Sequence, residues 1–291
     1  MDLLPDDALL IIFDFYVDDD RDVDVWHTLL HVCQKWRYVV LSSPRRLNLR
    51  LLCTDIRPVR EMLDIWPAIP IVIWKSRDPI SLEEGADNII AALEHPDRVC
   101  EIRLGNIPSS ILESFAAVMQ EPFLALTSLE LLLDDKWDPP VLPESFLGGS
   151  VPRLLFLDLN CIPFSAVRNL LLSASDLVYL CLWDMPDSGY ISPEEIATYL
   201  STMTRLETLE LGFYPYPYDS PPKRAPIHAS QDSDPSPIIR TSLPALTHFW
   251  FQGDNEYLEN LMAYLETPLL DDVTIINSFS PLDSLDSVEL R

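Results

Sequence analysis

An apolar pattern spaced L-x-x-L-x-L recurs seven times along this 291-residue chain, and it leaves little freedom in how the chain can fold. It stands at Val99/Ile102/Leu104, Leu126/Leu129/Leu131, Leu154/Leu157/Leu159, Leu177/Leu180/Leu182, Leu206/Leu209/Leu211, Leu246/Phe249/Phe251 and Leu270/Val273/Ile275. Between last members the steps are 27, 28, 23, 29, 40 and 24 residues. The period-two alternation inside each unit predicts a short strand with one buried face. Between the units lie helical segments at 110–120, 165–173, 192–203 and 255–266, with a weaker one near 143–147. A strand and a helix cannot bury the strand's apolar face alone, so neighbouring units must stack.

All steps but the 40 fall in the leucine-rich-repeat range of about 20–29 residues. A regular asparagine ladder is missing, since only Asn106 and Asn160 lie near the expected place. The prediction is α/β: an irregular leucine-rich-repeat solenoid over 99–291, parallel strands on the concave face and helices outside. Positions between the repeat leucines then point outward, among them Glu101, Arg103, Cys181, Glu207, Thr208 and His248. Glu130, Asp158, Tyr179, Glu210 and Trp250 are the candidates to face a protein substrate, because mixed aromatic and charged residues suit protein recognition. An ordinary solvated sheet face gives the same pattern. The long step holds a Pro-rich surface loop at 214–239, with serine–proline pairs at Ser220-Pro221 and Ser236-Pro237. Residues 281–291 begin another helical unit and stop without a polar cap, which fits a truncated frame or a fraying end.

The first 48 residues read differently. Leu4-Pro5 before Asp6-Asp7 marks a helix start. Leu9, Ile12, Phe13 and Tyr16 follow at helical spacing, an acidic run at 18–24 interrupts, and a second helix is expected from about 25 to 41. Ser42-Ser43-Pro44 stops it. Two amphipathic helices make a thin core, so this head needs the body or a partner to cover its outer face, as a helix in a groove does. Residues 49–98 read as a connecting segment continuous with the solenoid. They hold a strand at 46–51, a helix at 59–66, a strand at 69–74 whose Pro70 argues for an edge or a strand start, and a helix at 81–94 capped by Ser81.

Leu4-Pro5-x-x-x-Leu9-x-x-Ile12, then Leu29-x-x-Val32-Cys33-x-x-Trp36-Arg37 and Ser43-Pro44, resembles an F-box over about residues 3–48. It is similar to the variant common in basidiomycete fungi, in which Val-Cys-x-x-Trp-Arg precedes Ser-Pro-Arg-Arg-Leu-Asn-Leu. The acidic spacer is longer than in the commonest F-boxes. The resemblance implies docking to a Skp-type adaptor, and through it a cullin, in an SCF-type cullin–RING ubiquitin ligase. It implies that Leu4, Pro5, Leu9, Ile12, Val32 and Cys33 face the adaptor with Trp36 packed beneath them. The solenoid would then hold a protein substrate. The alternative is an interaction scaffold of the same fold outside any ligase.

Charge narrows the partners. Lys plus Arg is 20 and Asp plus Glu is 46, a net charge of −26. Phosphate backbones and anionic membrane surfaces repel such a chain, so neither nucleic acid nor membrane is expected as a partner. Locally, however, seven basic residues crowd into 35–60 against only Asp55. They form either a solvated patch or a surface that meets an acidic partner. Five scattered cysteines without a C-x-x-C predict a reducing compartment. The start lacks a positive n-region, and no apolar run approaches the ~18 residues of a membrane span. A soluble cytoplasmic or nuclear chain follows.

Catalytic and cofactor motifs are missing. No phosphate-cradling glycine motif and no G-x-S-x-G occurs. His27 and His31 share a helix face, but no third ligand is indicated. The Asp18-x-Asp20-x-Asp22 run has Val23 and Leu29 where a calcium loop needs Gly and Glu. No enzyme activity, cofactor or metal is expected.

Overall fold

The computed structural model describes residues 4–17, 25–75, 82–134, 140–186, 191–213, 240–277 and 288–290. The acidic spacer 18–24, Ser81, the Pro-rich stretch 214–239 and most of the tail lie outside them.

The head begins with α1 (Asp6–Val17), whose first turn holds Asp6 and Asp7 and is nucleated by Pro5, whose carbonyl accepts from Ala8 and Leu9 N–H at 3.1 Å each. The single helix expected at 25–41 is two: α2 (Trp26–Leu30) and α3 (Gln34–Ser42). Cys33 separates them in an extended conformation, φ −161° and ψ 170°. Apolar periodicity runs across this break because both helices turn apolar faces inward, so spacing alone cannot register it.

The body contains β1 (Leu51–Cys53), α4 (Val59–Ile65), β2 (Ile71–Lys75), α5 (Leu82–Leu93), β3 (Val99–Ile107), α6 (Ser109–Val118), β4 (Ser128–Leu133), β5 (Phe156–Asn160), α7 (Phe164–Ser173), β6 (Tyr179–Met185), α8 (Pro193–Leu200) and β7 (Thr208–Phe213). After these come β8 (Thr241–Ser242), β9 (His248–Gly253), α9 (Asn255–Tyr264), β10 (Leu265–Glu266), β11 (Asp272–Asn277) and β12 (Val288–Leu290). The weak helix near 143–147 is a 3-10 turn at Phe146–Gly149, with Leu147, Gly148 and Gly149 at positive φ. A Cβ on Gly148 would come within 2.5 Å of Pro122 N, so the turn requires glycine there.

Ten strands form one sheet in chain order, β1 to β7 and then β9, β11 and β12. The first nine are parallel, and β12 pairs antiparallel with β11. β8 and β10 make a separate parallel pair. Each parallel step returns through a crossover, usually helical. Along the chain α4, α5, α6, the 3-10 turn, α7, α8 and α9 touch one another in sequence and so form one layer on one side of the sheet. All-parallel sheets are usually covered on both faces. Here strands β4, β5, β7 and β9 alternate buried and partly exposed residues, leaving the other face open.

The repeat leucines from Val99 to Phe251 form the buried row, each at most 3% exposed. The structure adds a fourth position. In each unit from Leu126 on, the leading residue donates its N–H to the carbonyl three residues earlier, on Phe123, Val151, Ala174, Met203, Leu243 and Thr267 in turn. All but Thr267 are buried apolar residues. A second regularity joins the strand starts. The carbonyls of Thr127, Leu155, Val178, Glu207 and Thr247 each accept two N–H groups from the start of the following strand.

The strand expected at 46–51 instead begins at Leu51, after a turn over 44–48 in which Asn48 has φ 46°. Leu47, in the turn, and Leu49, just after it, are both buried, which imitates strand alternation. Pro70 directly precedes β2, a strand flanked by β1 and β3, so the proline marks a strand start and not an edge. Lys75 occupies the register position filled by Leu104 in the next strand and is 2% exposed, with Nζ donating to Gly105 O at 3.4 Å.

One core runs from Leu9, Phe13 and Trp26 in the head through the repeat leucines to Leu265. Trp26 fixes the junction: it is fully buried, its Nε1 donates to Arg50 O at 2.9 Å, and its ring meets Trp66 edge-on at 5.4 Å. His27 stacks on the same Trp66 at 4.8 Å. Among the described residues no helix is long and apolar enough to cross a membrane, and no disulfide joins the five cysteines.

Candidate functional site

Two exposed surfaces stand out. The first lies on the head. α1 buries Leu9, Leu10 and Phe13 on the side where it meets α2 and α3, and Trp36 packs edge-on against Phe13 at 4.9 Å. Much of its remaining surface is also apolar: Ile11, Ile12, Phe15 and Tyr16 are all exposed, Phe15 by 85%. A helix that is apolar all round is normally buried all round. Leu4, Pro5 and Val32 are exposed as well, and Cys33 is half-buried. Two polar links hold this surface together. Lys35 Nζ donates to Leu4 O at 2.7 Å and pairs with Asp6 at 3.4 Å, while Thr28 Oγ1 donates to Tyr16 Oη at 3.2 Å. Of the seven residues expected to meet an adaptor, Leu4, Pro5, Ile12 and Val32 are thus available, and Trp36 packs beneath. Leu9 is corrected: at 2% exposure it belongs to the head's core. Ile11 and Phe15 escaped the sequence reading, since the buried positions define the same stripe equally well. They line a cavity of about 450 Å³ with Arg46 and Asn48.

The second surface is the open face of the sheet. Parallel register places Arg103, Glu130, Asp158, Cys181, Glu210 and Trp250 in one row across β3, β4, β5, β6, β7 and β9. Neighbouring strands lie about 4.8 Å apart, so these side chains form a continuous band. The adjoining row includes Phe156, Tyr179 and Thr208, with the Phe156 and Tyr179 rings stacked at 4.4 Å. All five residues expected to face a substrate therefore share one face. Two further positions expected outward share this face but are covered by their neighbours. Glu101 is 8% exposed, since Arg50 and Arg103 both engage its carboxylate. Cys181 is 1% exposed.

Glu210 organises this face. Its Oε1 accepts from Tyr179 Oη at 2.9 Å, and its Oε2 accepts from Trp183 Nε1 at 3.0 Å and from the Cys181 thiol at 3.8 Å. Trp183 lies against Trp250, ring centres 3.9 Å apart, and spreads over Gly212. A Cβ on Gly212 would sit 2.8 Å from Trp183 Cε3, so this residue must be glycine for the indole to lie there. Burial, then Asp158 by charge and hydrogen bond, then Glu210, raise the Cys181 thiol far above its ordinary range. Burial, Cys181 and the hydrogen bond to Glu210 raise the Tyr179 phenol likewise. Both groups therefore act as neutral donors. Trp183 escaped the sequence reading because it lies just past the last repeat leucine of its unit; its spacing from Glu210 carried no signal.

Compared with protein-family models and with curated proteins, the chain matches none.

Proposed function

We propose that this chain is a non-catalytic substrate-recognition adaptor of an SCF-type cullin–RING ubiquitin ligase. The head acts as an F-box that docks on a Skp-type adaptor, and through it a cullin. The body acts as an irregular leucine-rich-repeat solenoid whose open face holds a protein substrate. The observation that carries this reading is the head's unused apolar surface. Leu4, Ile12 and Val32 remain exposed although Trp26 already joins the head to the core shared with the body. A large exposed apolar patch on a folded chain marks an interaction site. The repeat period and the sequential parallel strands favour the solenoid.

In this role the chain performs no chemistry. It brings a substrate near the charged conjugating enzyme and so raises effective concentration. The test is co-purification of the tagged chain with a Skp-type adaptor and cullin. The double variant Ile12→Asp/Val32→Asp is expected to lose both, while Glu210→Ala keeps both. Retention by the double variant overturns the reading. Recovery of other partners without adaptor or cullin, from the unaltered chain, favours an interaction scaffold outside any ligase.

A further inference from the structure

In a chain with 46 acidic and 20 basic residues, four arginines line one cavity of about 490 Å³. The cavity lies at the sheet edge where the first strands begin. Arg45 comes from the turn after α3, Arg50 from just before β1, Arg98 from just before β3 and Arg153 from three residues before β5. Asp97 is the one carboxylate in the described lining.

Two of the four arginines are anchored. Arg98 donates through Nε to Ile69 O at 3.1 Å and through Nη2 to Pro67 O at 3.4 Å. Arg50 Nη1 contacts Glu101 Oε2 at 3.3 Å. These bonds account for Arg50 and Arg98 as structural residues and leave N–H groups of both to spare. Arg45 and Arg153 have no such explanation. Both are exposed, and among the described residues neither guanidinium makes a hydrogen bond or an ion pair. Four guanidinium groups around one volume repel each other, and Asp97 and Glu101 offset only part of that charge.

We propose that this cavity binds a phosphate-bearing ligand. A phosphate monoester brings about 1.5 to 2 negative charges and three acceptor oxygens at pH 7. Guanidinium forks match those oxygens in pairs, which a single carboxylate on a ligand cannot exploit as fully. The volume lies within the roughly 300–1,000 Å³ of small-ligand sites, enough for a phosphoryl group and part of its carrier. The chain's overall negative charge does not forbid this. At physiological ionic strength charges beyond about 8 Å are largely screened, so the local arginines decide.

This site is independent of ligase docking, and its test uses the purified chain alone. Pyrophosphate, a phosphoserine peptide and its unphosphorylated twin are titrated calorimetrically at about 0.15 M salt. Saturable binding of pyrophosphate alone supports a free phosphate compound; preference for the phosphopeptide over its twin supports a phosphorylated side chain. Arg45→Glu/Arg153→Glu should weaken the binding at least about tenfold, and Arg168→Glu/Arg205→Glu should leave it unchanged. Thermal unfolding checks that both variants fold, and Arg45→Gln/Arg153→Gln replaces the reversal if it does not. Absence of binding by all three probes, or binding equal in the Arg45/Arg153 variant, overturns the proposal.

Discussion

The head and the open sheet face are both exposed, but they are built on opposite principles. On the head the exposed side chains are mainly aliphatic and aromatic: Leu4, Ile11, Ile12, Phe15 and Val32 bring no polar group of their own. On the sheet the exposed side chains are acids and indoles, and hydrogen bonds fix them: Tyr179, Cys181 and Trp183 all donate to Glu210. The head surface gains by burial in any complementary groove, since apolar area is non-directional. The sheet surface gains only with a partner that respects fixed donors and acceptors. Affinity without fine selectivity suits a constant partner; a pre-organised polar face suits discrimination.

The sharpest way to break this comparison lies within α1, where Leu9 and Ile12 stand one turn apart with opposite roles. Leu9→Asp places a carboxylate in the core and removes a packed side chain. It should cost roughly 3–5 kcal/mol, visible as a large fall in urea midpoint. Ile12→Asp should change stability by no more than about 0.5 kcal/mol and leave the midpoint alone. Comparable losses at the two positions would show that Ile12 is covered in the free chain and would remove the head surface as a docking site.

Glu210→Ala tests the sheet in the same way, with a smaller expected effect. It leaves the Tyr179 hydroxyl and the Trp183 indole without their acceptor. Both are only half-buried, so water replaces part of the loss and about 1–2 kcal/mol is expected. The diagnostic signal is tryptophan fluorescence, which should shift to longer wavelength as Trp183 is freed from Glu210. An unmoved spectrum would mean that packing on Gly212 and Trp250 holds the indole and that Glu210 does not organise the face.

The two regions also differ in how much the sequence disclosed. The repeat leucines were legible because strand alternation and burial coincide in every unit from Val99 to Phe251, and with them the outward row of Glu130, Asp158, Glu210 and Trp250. What stayed hidden depended on backbone turns. The fourth apolar position, from Phe123 to Leu243, follows from an i to i−3 hydrogen bond that no periodicity announces. Lys75 fills a leucine position because its aliphatic stem can be buried while its amine reaches Gly105 O. In the head, apolar residues occupy every side of α1 but the one that carries Asp7 and Asp14, so spacing could not tell Leu9, which is buried, from Ile12, which is not. Amphipathicity reveals a face only when the other face is polar.

The last prediction concerns alkaline pH and sharpens the view of the sheet as a set of neutral donors. Cys181 and Tyr179 have raised pKa values in the folded chain, and burial pushes the Cys100 thiol up to about 11. All three are protonated in both states at neutral pH, so their contribution is intact below the thiol pKa of the unfolded chain, about 8.5. Above it the unfolded state releases protons that the folded state keeps. The unfolded state then binds fewer protons, and stability must fall as pH rises, by at most about 1.4 kcal/mol per pH unit for each fully linked group. Denaturant unfolding at steps from pH 8 to pH 10.5 should show this decline, and Cys181→Ala should make it shallower. An identical slope in that variant would mean that Cys181 ionises as readily in the folded chain as in the unfolded one, and that Asp158 and Glu210 do not hold its proton.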